Sequence, residues 1–97
     1  MQNQVYDFLL TIPKGKVVTY TQIAEYLGNK YLARVVGNIL HKNPNGDKYP
    51  CYKVVNSKGE LSLRYAFGGI EAQRQRLEAE GITVRDQKVD LTVYQMA

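Results

Sequence analysis

The amino-acid sequence predicts a single, mostly α domain over residues 1–97 with a small β element, arranged as a winged helix-turn-helix. Three features point there. Apolar residues recur at helical spacing through residues 5–40. A glycine turn, Gly28-Asn29-Lys30, separates two of the resulting helices. Beyond residue 49, short β-branched runs are punctuated by turn residues. Ninety-seven residues suffice for one modest core and are too few for two.

Taken in order, Val5, Phe8, Leu9 and Ile12 share one face of a first helix, which Pro13-Lys14-Gly15 ends. Val17-Val18 makes a short extended link. Thr19 followed three residues later by Gln22 is a capping-box pattern and starts a second helix through Ile23, Ala24 and Leu27. After the Gly28 turn, Leu32, Val35, Val36, Ile39 and Leu40 form the apolar stripe of a third helix. Its opposite face carries Arg34, Gly37, Asn38 and His41, small or polar residues that let a helix approach a groove closely. Asn43-Pro44-Asn45-Gly46-Asp47 is a loop by composition. Lys53-Val54-Val55 reads as a strand, Asn56-Ser57-Lys58-Gly59 as a turn, and Glu60-Leu61-Ser62 as a segment that pairs back as a hairpin or wing. Gly68-Gly69 precedes a polar helix over 70–80, which Gly81 ends. The apolar residues of 82–84 and 89–94 call for a core to join.

The charge distribution narrows the partner class. The formal net charge is +4, and residues 14–53 hold seven basic side chains against only Glu25 and Asp47, so a polyanion would meet the first half of the chain. A single cysteine excludes an internal disulfide and makes the cytoplasm the expected compartment. One Cys and one His cannot make up a usual zinc ligand set, so no metal is expected. The opening MQNQVYDF lacks the basic-then-apolar layout of a signal peptide, and no apolar run approaches membrane-spanning length.

The blocks IPKGKVVTYTQIA, ARVVGNILHKNP, PCYKVV, GG and EAEG occur in that order. Together they resemble the DNA-binding domain of O6-alkylguanine-DNA alkyltransferases and of their non-enzymatic relatives, the alkyltransferase-like proteins, over residues 5–84. The resemblance implies roles at the matching positions. Tyr20 falls on the tyrosine that pushes against the target nucleotide's phosphate as it rotates out. Arg34 falls on the arginine that enters the minor groove and fills the gap left by the flipped base. Ala33 and Gly37 fall on small residues that let the helix lie close to DNA. Asn43 matches the asparagine bracing the turn before the reactive loop, Cys51 the alkyl acceptor, and Glu80 the glutamate ending the helix behind it. A base stacked in a duplex cannot be reached by a protein pocket, so it must leave the stack at a cost of a few kcal/mol. The planar, multiply donating arginine head suits the vacancy.

One departure bears on the chemistry. Active alkyltransferases carry His after the Cys, in a PCHRV motif, where it helps to draw the proton from the thiol. Here Tyr52 stands in its place. A phenol, with a pKa of about 10, is protonated at neutral pH and is a poor base for a thiol of about 8.5. Size and the C-terminal pattern also resemble the alkyltransferase-like branch, and the stretch 64–69 looks longer than in the enzymes. The expectation is therefore a cytoplasmic, monomeric, cofactor-free protein that flips O6-alkylguanine in duplex DNA into a pocket near Tyr20, Cys51, Tyr52 and Tyr65. Lys53 joins Tyr20, Ala33, Arg34 and Gly37 in contacting DNA, and excision-repair proteins are the expected further partners. Two alternatives stay open: a suicide alkyltransferase with Cys51 as acceptor, and a winged-helix regulator with no lesion preference.

Overall fold

A computed structural model describes residues 2–62 and 65–96. Helix α1 (Gln2–Leu9) buries Val5, Tyr6 and Leu9. It is followed by strand β1 (Val18–Thr19) and helix α2 (Tyr20–Tyr26). The expected capping box is present. The Thr19 hydroxyl accepts from the Gln22 N–H at 3.1 Å, and the Gln22 side chain accepts from the Thr19 N–H at 2.9 Å. Gly28, at φ +95°, makes the turn that only glycine adopts without strain. A 3₁₀ turn (Lys30–Leu32) then leads into helix α3 (Ala33–His41). Val36 and Leu40 anchor α3, whereas Val35, assigned to its apolar stripe from spacing, is 39% exposed. Leu32 and Ile39 are only partly buried against the core, so the fully buried stripe is narrower than the spacing predicts.

A second 3₁₀ turn (Cys51–Lys53) feeds strand β2 (Val54–Val55). β2 pairs in parallel with β1, Val18 opposite Val54 and Thr19 opposite Val55, and all four residues are buried. The segment 94–96 runs alongside, with the Val17 N–H donating to the Tyr94 carbonyl and the Met96 N–H to the Val17 carbonyl, both at 2.8 Å. Helix α4 (Gly69–Ala79) starts one residue before the expected 70–80 and leaves Glu80 as its cap. Strands β3 (Val84–Arg85) and β4 (Lys88–Val89) form an antiparallel hairpin, and a short helix α5 (Leu91–Tyr94) follows.

The hairpin expected between 53–55 and 60–62 takes a different form. The turn closes, with the Asn56 N–H donating to the Glu60 carbonyl at 3.2 Å. Glu60 then pairs with Lys88, and the Leu61 N–H donates to the Gln87 carbonyl at 2.9 Å. β1 takes one edge of β2 and the Gln73 side chain donates to the Val54 carbonyl, while 60–62 pairs with the C-terminal hairpin. Two apolar clusters result. One joins α1, α2 and α3 to Cys51, Val54 and Tyr65. The other gathers Val17, Val55, Leu61, Leu77, Ile82 and Val89, which accounts for the apolar residues of the tail.

Candidate nucleic-acid interface and lesion pocket

The exposed face of α3 borders a cleft of about 430 Å³ whose walls include Tyr20, Ala33, Arg34, Gly37, Cys51 and Tyr65. Six of the expected site residues, separated by as many as 45 positions in the chain, thus meet at one opening. Arg34 is exposed and projects from the side of α3 opposite Val36 and Leu40. Tyr20, the first residue of α2, is half-buried and lies against Gly37; a Cβ on Gly37 would sit 3.9 Å from Tyr20 Cε1. That is ordinary contact, so nothing inside the protein requires glycine there. Asn38 and His41 extend the same wall.

Cys51 opens the 3₁₀ turn at the cleft and is 7% exposed. Burial pushes its thiol above the ordinary value, against smaller opposing effects of the Asn43 amide, its own backbone and the Arg76 charge. Asn43 is buried and braces the loop. Its Nδ2 donates to the Tyr49 carbonyl at 2.8 Å, and its Oδ1 accepts from the Asn45 N–H at 3.0 Å. Tyr65, expected at the lip, is a buried part of the wall, edge-on to Phe67. Its hydroxyl has no hydrogen-bond partner among the described residues. Of the longer stretch 64–69, residue 64 lies outside the described residues.

Two expected site residues are placed elsewhere, and one geometry explains both. Successive side chains on a 3₁₀ turn diverge by about 120°, so only one of three neighbours can face the cleft. Cys51 takes that direction. Tyr52, expected in the pocket, points away from it: its hydroxyl donates a short hydrogen bond to Glu80 Oε2, and Arg76 lies 4.7 Å above its ring. Burial and the Glu80 carboxylate push the Tyr52 phenol well above its ordinary value, so it stays protonated and cannot act as a base. Lys53, expected on DNA, is 5% exposed. Its ammonium pairs with Glu80 Oε1 at 2.9 Å and donates to the carbonyls of Ile12 and Pro13 at 3.3 and 3.2 Å. That charge is satisfied inside the fold.

Glu80 is the hub of this arrangement. Besides Tyr52 and Lys53 it accepts from the Gly15 N–H at 3.0 Å. Burial works against its ionisation, but these donors outweigh it and hold the carboxyl below the ordinary value. Gln73 escaped the sequence reading because a glutamine on a polar helix reads as solvent-facing. It is 1% exposed, donates to the Tyr52 and Val54 carbonyls at 2.9 and 3.2 Å, and accepts from the Ser62 N–H at 2.8 Å. It thereby ties α4 to both edges of the cleft.

The model of the 6-O-methylguanine DNA methyltransferase DNA-binding domain matches residues 1–82. The chain belongs to this family. Among its methyltransferase-family relatives is a DNA base-flipping protein from Vibrio parahaemolyticus, 43% identical over 83 residues, which span 86% of this chain and 81% of the relative. Alkyltransferase-like protein 1 from Schizosaccharomyces pombe is 42% identical over 82 residues, 84% of this chain and 75% of that protein. The fold agrees with that of S. pombe Atl1 in complex with damaged DNA containing O6-carboxymethylguanine. The TM-score is 0.89 at 35% identity, covering 99% of this chain and 94% of that one. It also matches Mycobacterium tuberculosis OGT in complex with DNA, at a TM-score of 0.77 and 39% identity, covering 82% of this chain and 48% of that one. The winged helix-turn-helix expected from the sequence is compatible with both likenesses.

Proposed function

We propose that this protein binds duplex DNA carrying O6-alkylguanine, rotates the lesion out of the helix and holds it in the cleft beside Cys51 without efficient alkyl transfer. The observation that carries the reading is the meeting of the Arg34–Gly37 face with a buried pocket. One wall suits a minor groove, and the cleft behind it has room for a base. The relatives described as base-flipping and alkyltransferase-like support it, as does the S. pombe complex with damaged DNA. In this reading Arg34 fills the vacancy in the stack, Tyr20 presses on the phosphate of the rotating nucleotide, and Ala33 and Gly37 allow close approach. The phenol of Tyr52, hydrogen-bonded to Glu80, leaves the thiol without a base. The protein acts as a monomer in the cytoplasm and presents the held lesion to excision-repair proteins.

A second reading is favoured by Cys51 itself, which keeps an acceptor thiol at the cleft wall beside Asn43. There, Sγ bonds to the alkyl carbon as the carbon–O6 bond breaks, and the thiol proton ends on the released guanine. Binding and intact-mass measurements on the same O6-methylguanine duplex separate the readings. Lesion recognition requires tighter binding than to the undamaged duplex at matched salt, loss of that preference in Arg34→Ala, and an unchanged protein mass. A stoichiometric gain of one methyl, absent in Cys51→Ala, establishes transfer instead. Equal affinity for both duplexes leaves only a winged-helix binder without lesion preference.

A further inference from the structure

Tyr31 is 82% exposed, the most exposed large hydrophobic side chain among the described residues, and it is held in place. It sits in the 3₁₀ turn Lys30–Leu32 that leads into α3, where its N–H donates to the Asn29 side chain at 2.9 Å. The Leu32 N–H donates to the Asn29 carbonyl at 3.0 Å, fixing the turn from both sides. The Lys30 ammonium lies 5.5 Å from the centre of the Tyr31 ring, so the aromatic carries a cation with it. Tyr31 lies three residues before Arg34, at the N-terminal end of the helix whose exposed side carries Arg34, Asn38 and His41. From Asn29 to Lys42 this surface contains Lys30, Arg34 and Lys42 and no acidic residue, which complements a polyanion.

We infer that Tyr31 is a DNA-contacting residue that packs its ring against the sugars or base edges flanking the lesion. Its role is to anchor the recognition helix on any duplex rather than to recognise the lesion. The inference rests on the reading of this face as the DNA interface. Three residues of 3₁₀ rise amount to about 6 Å, and successive nucleotides of one strand are about 3.4 Å apart along the axis. The ring thus lies one to two nucleotides from the vacancy occupied by Arg34. At that distance it cannot touch a base seated beside Cys51, so its contribution is the same with and without a lesion. The apolar ring meets sugar and base surface, while Lys30 meets the adjoining phosphate.

The test compares wild type, Tyr31→Ala, Tyr31→Phe and Arg34→Ala on an O6-methylguanine duplex and on the same duplex undamaged, at one salt concentration. Tyr31→Ala should weaken binding to both duplexes by about five-fold or more, with the ratio between them and the melting temperature of the protein unchanged. Tyr31→Phe should bind as wild type, because the ring and not the hydroxyl makes the contact. Unchanged affinity in Tyr31→Ala, or a loss confined to the damaged duplex, would overturn the inference. Arg34→Ala reads the underlying proposal separately. If the wild type shows no lesion preference while Tyr31→Ala still weakens both duplexes, lesion recognition falls and the Tyr31 contact stands.

Discussion

In the proposed reading, a single side chain at position 52 separates binding from chemistry. The Tyr52 hydroxyl holds the Glu80 carboxylate, and the Cys51 thiol is one residue away. The present phenol donates to Glu80 and keeps its proton. An imidazole there, with an unperturbed pKa of about 6.5, is neutral at pH 7. Since position 52 faces Glu80 rather than the cleft, it would take the thiol proton through an intervening water while Glu80 stabilises the cation. Tyr52→His should therefore raise the rate of methyl transfer to Cys51 from O6-methylguanine DNA by at least about ten-fold, the lower part of the range for general-base catalysis. Intact mass against time reads it, and a rate equal to wild type would mean that more than the base is missing. Glu80 itself makes a pH prediction. Its folded pKa lies below its unfolded value, so its stabilising contribution is fully present above the unfolded value, near 4.3, and is lost as pH falls through the folded one. The melting temperature should drop on acidification below about pH 4.3, and the part due to Glu80 should vanish in Glu80→Gln.

Among the elements, helices and their caps were legible from short-range pattern, whereas pairings between distant segments were not. The Thr19–Gln22 box and the Gly28 turn follow from residues within a few positions of each other, and both are present. The partner of 60–62 is the C-terminal hairpin, more than twenty residues downstream, and no local pattern in either segment names the other. Tyr52 and Lys53 were misplaced for a related reason, since the 3₁₀ turn that divides Cys51, Tyr52 and Lys53 among three directions leaves no periodic trace in three residues. Where the hairpin meets the 56–59 turn, Gly59 makes the tightest approach of the chain's glycines. Gly59 has φ +81°, and a Cβ there would fall 2.2 Å from the Val89 carbonyl oxygen, whose own residue donates its N–H to the Gly59 carbonyl at 2.8 Å. Gly28 also has positive φ but open space around it. Gly28→Ala should cost about 1–2 kcal/mol, the left-handed penalty alone. Gly59→Ala should cost that and the displacement of β4, about 3 kcal/mol or more. Denaturant unfolding of the two variants checks the order, and similar losses would refute the clash.

On the scale of the whole molecule, charge sets how binding responds to salt, and the structure changes which charges count. The sequence places seven basic residues between positions 14 and 53. Lys53 drops out, because its ammonium is buried on Glu80 and two backbone carbonyls. Of these seven at most six remain to displace counterions, so their share of the slope of log affinity against log salt should be no steeper than about −5.4. Lys30 and Lys53 then form a matched pair of opposite character. Lys30→Ala should flatten the slope by about 0.9 and leave the melting temperature alone, since Lys30 is exposed. Lys53→Met should leave the slope unchanged but cost about 3 kcal/mol, the lower end for breaking a buried ion pair. In a domain of this size that lowers the melting temperature by at least about 10 °C. Salt titrations run well below the melting point of each variant distinguish the two effects. A flattened slope in Lys53→Met would mean that this lysine leaves Glu80 to meet DNA, and with it that the Glu80 hub opens on binding.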